Sequence, residues 1–253
     1  EARGVGAIDD ADAARLVALG VAERAITVTV DTRHDQVAAR TARAWSVAPW
    51  LARFRDAPRT TLVAGSTWPA DDAVLLAAWQ ALAHARPGSR RLVVAPHEPT
   101  PAHLAPVERW AREAGLSCAR LDAPDDATAD VVLVDRVGVL GELYAVADVA
   151  WVGGGFHAAG LHSVLEPAAY GAPVVIGPRH HASRDARDLL ASGGAIAVHD
   201  VAEARDALTR LLDDVAARRT AGDAARTVVT RGLGASERSF ALVERLLPGR
   251  RRP

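Results

Sequence analysis

The sequence contains no methionine and no lysine: all 30 Lys+Arg positions are arginine. A chain without methionine does not start at its own initiation codon, and we expect a processed product or a piece of a longer protein. Arginine used this uniformly fits a genome rich in G and C, so its abundance says little about phosphate recognition. A lysine-free chain also excludes a Walker phosphate loop, which needs that ammonium on the β- and γ-phosphates. Cys118 is the single cysteine, which excludes an intrachain disulfide and a cysteine-based metal site. No apolar run reaches the roughly 18 residues of a membrane span. A secretory signal pattern is missing too. Any membrane anchor is expected upstream of Glu1.

What is present is ordinary globular composition, with 49% hydrophobic and 24% charged residues in 253. The formal net charge of -1 provides no field that would draw the chain to nucleic acid or an anionic membrane.

Residues 9–19 read as a helix stopped by Gly20, residues 25–30 as a β-branched strand, and residues 31–45 as a polar helix. Residues 49–58 read as a connection. From residue 60 the rhythm becomes regular. Apolar strands at 61–64, 92–95, 117–121, 131–134, 149–152, 173–176 and 195–198 alternate with helices at 71–85, 107–114, 140–146, 163–170 and 184–191. Three helical segments then run to about residue 247, and Arg250–Arg252 reads as a frayed tail. Short apolar strands alternating with helices predict a doubly wound, Rossmann-like parallel sheet of about six strands covered on both faces. Residues 1–59 fit this pattern poorly. They are expected to be the end of a neighbouring domain plus a linker, with residues 60–253 forming the ligand-binding domain.

Ligands of such sheets sit at the carboxyl ends of the strands, so the turns there carry the functional signal. Gly65, Ser66 and Thr67 follow the first strand of the regular region. They offer close backbone approach and hydroxyl donors, or merely cap the next helix. Pro96 and His97 follow the next strand, where a fixed imidazole can meet a phosphate or a base, or simply solvent. Gly138 lies in a charged loop, and Gly141, Glu142 and Leu143 open a short helix whose free N–H groups can bind polar groups.

The densest signal is WVGGGFHAAGLHSVLEP at 151–167. Gly154 and Gly155 belong to a glycine run directly after a strand. Pro167 places a helix start near Ser163, with His162 beside it. Glu166 admits two readings. It can close a capping box with Ser163, worth roughly 1 kcal/mol, or accept hydrogen bonds from ribose hydroxyls. Arg179, His180 and Arg184 form a local cationic cluster able to hold a carboxylate or a phosphate. Metal ligation there is disfavoured, because adjacent histidines lack a matching acidic or cysteine set. The spacing fits neither a dinucleotide fingerprint nor a G-x-S-x-G nucleophile elbow.

Taken together, Gly65-Ser66-Thr67, Pro96-His97, Asp135 with Gly141-Glu142-Leu143, and Gly153 to Pro178 resemble, in order, the motifs of the 3-deoxy-D-manno-octulosonic acid (Kdo) transferases. The last of these is a GG…G-x-H-N-x-LEPAA-x-G-x-PV-x-x-GP block. Asp31-Thr32-Arg33-His34-Asp35 resembles the stretch where that family crosses between domains. The likeness runs from about Leu16 to the end.

The resemblance implies the C-terminal half of a GT-B fold, binding CMP-Kdo for transfer, with inversion, to a lipid A precursor in lipopolysaccharide biosynthesis. It implies no metal or other cofactor and no nucleic-acid partner. It also implies work at the cytoplasmic face of the bacterial inner membrane, with the catalytic glutamate, acceptor site and anchor in an N-terminal domain. Within this chain it implies that His162 and the helix after it face the nucleotide and Glu166 the ribose. Gly65–Thr67 and His97 would face the phosphate or base. The chain departs from the family at Ser163 (commonly Asn), at Ala95 before Pro96-His97 (often Arg nearby) and at Ala182 (Asn). Another GT-B sugar-nucleotide enzyme, a UDP-sugar transferase or epimerase relative, therefore stays open, as does a non-catalytic nucleotide-sugar-binding module.

Overall fold

The computed structural model describes residues 3–57 and 59–247. The expected tail at Arg250–Arg252 lies outside the described residues. Two compact units emerge, one formed by Glu1–Ala39 with Val229–Pro253 and the other by Arg40–Val228.

In the smaller unit, β1 (Val5–Ala7), α1 (Asp10–Ala18) and β2 (Ile26–Val28) form a βαβ turn in which Val5 pairs with Ile26 and Ala7 with Val28, in parallel. The Asp9 carboxylate caps α1 by accepting from the Asp12 amide at 2.6 Å. Gly20, at φ 90°, supplies the left-handed stop read from the sequence. The strand at β2 is shorter than expected. Ala25 closes a 3-10 turn, and Val30 sits at φ 65°, outside β geometry. From α2 (Arg33–Val47), Asp35 accepts from the amides of Gly234 and Ser236 at 2.7 and 2.6 Å. It thereby caps the final helix, Ala235–Leu246, whose own N-cap Gly234 has no side chain to offer.

The larger unit carries the sheet. Residues 49–58, expected to be a connection, include a 3-10 turn (Pro49–Leu51) and α3 (Ala52–Asp56). Leu51 and Phe54 sit three apart and are almost fully buried, so this segment is a core element. It is followed by β3 (Thr60–Thr67), α4 (Pro69–Ala85), β4 (Arg90–Pro96), α5 (Pro101–Glu113), β5 (Cys118–Arg120), β6 (Val131–Leu133) and α6 (Leu140–Leu143). Then come β7 (Val149–Val152), α7 (Leu165–Tyr170), β8 (Val174–Ile176), α8 (Arg184–Ser192), β9 (Ala195–Ala197), α9 (Val201–Asp213) and α10 (Val215–Arg231).

Seven strands, one more than the expected six, form a single all-parallel sheet in the order β5-β6-β4-β3-β7-β8-β9. Alternation along the strands loads both faces. Leu62 and Ala64 of β3 join Trp79, Trp151 and Leu208 on one side. Val63 joins Val93, Val132, Tyr144 and Phe54 on the other. The elements β4 and α5 start earlier than expected, as does α4, by two residues. The charged pair Arg90–Arg91 belongs to β4, with Arg91 buried and donating to the carbonyls of Ala57 and Ala127 at 2.7 Å. Likewise α5 begins six residues before residue 107, with Pro101 in its first turn and Pro106 tolerated inside. Among the described residues no helix is long and apolar enough to cross a membrane.

The chain order reverses between β3 and β7. One neighbour of β3 is β4, reached next in sequence; the other is β7, reached only after β4, β5 and β6. This is the topological switch point, where a crevice opens beyond the carboxyl ends of the strands.

Candidate functional site

The floor of the crevice is backbone. The Gly153 amide donates to the Gly65 carbonyl at 2.9 Å as the last rung between β3 and β7. A Cβ on Gly153 would lie 2.1 Å from the Ser66 carbonyl oxygen, so only glycine permits this approach. Gly154 turns the chain at φ 88°, with the Gly160 carbonyl crossing where its side chain would be, and Gly155 packs on Gly177.

Asp71 fixes this loop from beneath. Fully buried on α4, its carboxylate accepts from the amides of Trp68 at 3.0 Å, Gly154 at 2.8 Å and Phe156 at 3.0 Å. Three charge-assisted bonds thus join the turn after β3 to the turn after β7. Helix α4 starts at Pro69, and its N-cap Trp68 makes no side-chain cap. The reading of Gly65, Ser66 and Thr67 as a mere cap for this helix is therefore corrected. They are the bulged end of β3, with Ser66 at φ 53°.

Above this floor stand four rings. Trp68 stacks on His157 at 4.3 Å between centroids and leans on His97 at 4.7 Å. His97 stacks on His162 at 4.4 Å, and the Trp68 indole N–H donates to His162 Nε2 at 3.3 Å. This last bond requires a neutral His162. Burial lowers its pKa, helped by His97 and His157 and opposed by Asp71. The His97 amide is tied to the Thr67 carbonyl at 2.9 Å, which carries the ring to the crevice edge. Pro96, on the same loop, is buried as the last residue of β4.

The opposite bank is ionic. α7 starts at Leu165, two residues later than expected. Its N-cap is Val164, with no side-chain cap bond, and Ser163 is exposed. The capping-box reading of Glu166 is thereby removed. Its carboxylate instead meets Arg40 at 3.3 Å, and Arg40 also takes Glu142 at 2.9 Å. Burial raises the Glu166 pKa, Arg40 draws it down, and Glu142 pushes it up again. Gly65 allows Tyr144 to close in from below, since a Cβ there would meet its hydroxyl at 2.1 Å.

The remaining expected residues separate. Leu143 is fully buried in the core and is corrected to a packing residue. Gly138 is an exposed turn glycine at φ 88°. The cationic cluster is looser than the sequence suggested. Arg179 is exposed, while His180 is buried with its Nδ1 3.1 Å from the Gly177 carbonyl. Arg184 stands 3.7 Å from Asp188 in an i,i+4 pair. Trp68, Asp71, His157 and Arg40 were not anticipated. Trp68 directly follows the Gly65–Thr67 motif and His157 lies inside the 151–167 motif, whereas nothing local marks Asp71 or Arg40.

No family model matches the chain. It is 32% identical over 245 residues to a 3-deoxy-D-manno-octulosonic acid transferase of Bordetella pertussis, covering 93% of this chain and 54% of that protein. It is 34% identical over 152 residues to the enzyme of the same name from Aquifex aeolicus, covering 60% of this chain and 41% of that one. The chain thus spans about half the length of the curated relatives it matches. Among solved structures, the C-terminal CMP-Kdo binding domain of WaaA from Acinetobacter baumannii aligns with a TM-score of 0.64 at 21% identity, covering 76% of this chain and 99% of that one. The UDP-GlcNAc 2-epimerase from Neisseria meningitidis aligns with 0.67 at 14% identity, covering 98% and 61%. The fold is that of the C-terminal half of GT-B enzymes, and the chain is homologous to the Kdo transferases.

Proposed function

We propose that this homologue of the Kdo transferases is the donor-binding half of such an enzyme, and that its crevice holds CMP-Kdo. The observation that carries the reading is the convergence at one switch point of a backbone floor, an imidazole–indole wall and a half-buried carboxylate. These meet three needs of a sugar nucleotide: an anion, a flat base and a ribose diol. The glycines at Gly153–Gly155 let the turns after β3 and β7 close on each other, and with the Gly153, Gly154 and Phe156 amides bonded to Gly65 and Asp71 the phosphate falls, in this reading, to the rings above that floor. His97, His157 and Trp68 offer ring faces and ring N–H groups to base and phosphate. Glu166 accepts from the ribose hydroxyls.

Breaking the bond between the sugar and the CMP phosphate leaves an extra negative charge on the departing nucleotide. Imidazoles already held at the crevice edge offset the charge without reorganising. We assign no catalytic base to residues of this chain. The acceptor, a lipid A precursor, and the base belong in this reading to the part of the relatives' length that the chain does not span. Residues 1–59 lead in from that domain in this reading, and the site of action is the cytoplasmic face of the inner membrane.

The structural likeness to the UDP-GlcNAc 2-epimerase is as high as that to the CMP-Kdo binding domain. A uridine donor is accordingly the second reading. Calorimetric titration with CMP, UMP and ADP separates them. A preference for CMP supports the first reading and a preference for UMP the second.

A further inference from the structure

Arg40 belongs to none of the motifs, yet it sits at the centre of the ionic bank. Its Nε and Nη2 fork onto the two oxygens of Glu142 at 2.9 and 3.3 Å, and its Nη1 reaches Glu166 Oε1 at 3.3 Å. One guanidinium on α2 therefore ties α6 to α7. Gly141 makes this possible, because a Cβ there would lie 2.4 Å from Arg40 Cζ and 2.6 Å from Nε. Glu142 and Glu166 are partly shielded, their side chains 14% and 28% exposed. Two carboxylates so placed favour a proton on one of them unless a cation intervenes. The other titratable groups facing Glu166 are Tyr144, buried beneath it, and Tyr170, on its own helix. Neither supplies positive charge, which leaves Arg40 as the group that opposes protonation of Glu166.

We infer that Arg40 is a positioning residue for nucleotide recognition: it keeps the Glu166 carboxylate ionised and aimed into the crevice, where it accepts from the ribose diol. The inference rests on the donor-binding reading above. It differs from a plain ion pair, which would contribute to stability alone, and from a direct phosphate contact, which would ignore the ribose.

The test is calorimetric titration of the full chain with CMP and with 2′,3′-dideoxy-CMP, between pH 5.5 and 8. The proteins are the wild type, Arg40→Gln, Arg40→Lys, Glu166→Gln and the double variant Arg40→Gln with Glu166→Gln. We expect Arg40→Gln to weaken CMP by about tenfold, the scale of a hydrogen bond to a charged group. Its affinity for the dideoxy analogue should be unchanged, and the loss should deepen as pH falls and Glu166 takes up a proton. Arg40→Lys should restore part of the affinity, and the double variant should be no worse than Glu166→Gln. Gly141→Ala, which displaces the guanidinium without removing its charge, should mimic Arg40→Gln. Wild-type affinity for CMP in Arg40→Gln would overturn the inference, as would equal losses for CMP and the analogue. If the wild type prefers UMP, the same cycle runs with UMP and its dideoxy form, so the donor assignment fails separately. Binding of no nucleotide overturns both.

Discussion

The two banks of the crevice are built on opposite electrostatic plans. On the β3–β7 bank the buried carboxylate of Asp71 is consumed by three backbone amides, and the wall above it is a stack of rings joined by a neutral imidazole. On the α6–α7 bank two carboxylates share one arginine, with side chains from 14% to 40% exposed. The first bank is held by main chain and burial, so disturbing it should cost folding energy. The second is held by side chains in partial contact with water, where ion pairs contribute little to stability. Disturbing it should cost recognition and leave the fold almost untouched.

The sharpest break is Gly153→Ala. A Cβ 2.1 Å from the Ser66 carbonyl oxygen meets the backbone of Ser66 and Thr67, and we expect a loss of about 3 kcal/mol or more in denaturant unfolding. Asp71→Asn comes next. The amide keeps one acceptor and turns an N–H₂ toward backbone donors. A loss of about 2 kcal/mol is expected, together with weaker CMP binding, because the glycine loop is released. An Asp71→Asn protein as stable as the wild type would show that the loop is held otherwise.

Asp72, the next residue on α4, works the other way. Burial first, and the neighbouring Asp71 as well, push its carboxyl from 3.8 up to about 6, with Thr67 opposing. A folded pKa above the unfolded value means this group's stabilisation is full below about 4 and is lost as pH rises through about 6. At pH 7 the folded state therefore bears the whole cost. Asp72→Asn should gain about 1–2 kcal/mol there, against a ceiling of about 3 for a shift of roughly two units. The advantage should close as pH approaches 4. His162 has the opposite sign: its lowered pKa means stability is full above about 6.5 and falls as pH drops below it. His162→Gln should flatten that acid limb of the thermal-melt profile. The smallest expected change is in the stability of Arg40→Gln, within about 1 kcal/mol of wild type. A loss as large as that of Asp71→Asn would erase the contrast between the banks.

What could be read from the sequence follows the distance over which each feature acts. The sheet was legible because apolar runs of four or five residues recur between helices. The glycine run, His97 and His162 were legible because each sits in a loop after a strand, and Glu166 because it opens the helix that follows such a loop. Asp71 was not, because its partners Gly154 and Phe156 lie 83 and 85 residues away. Arg40 was further out of reach: it meets Glu142 and Glu166 across 102 and 126 residues, from a helix whose polar pattern placed it outside the ligand-binding domain. Leu51 and Phe54 were passed over because Pro49 suggested a connection, though proline suits the first turn of the helical segment found there. The capping box at Ser163–Glu166 was a pattern with a legitimate local use. A cation from a distant helix gave Glu166 a different partner.

The central claim, that this crevice binds a cytidine sugar nucleotide through Glu166, is tested most directly by calorimetric titration of the chain with CMP, UMP and ADP, repeated on Glu166→Ala. The expected result is a preference for CMP that falls at least tenfold in the variant while its melting temperature holds. Equal affinity for CMP in the two proteins, or binding of none of the three nucleotides, would contradict it.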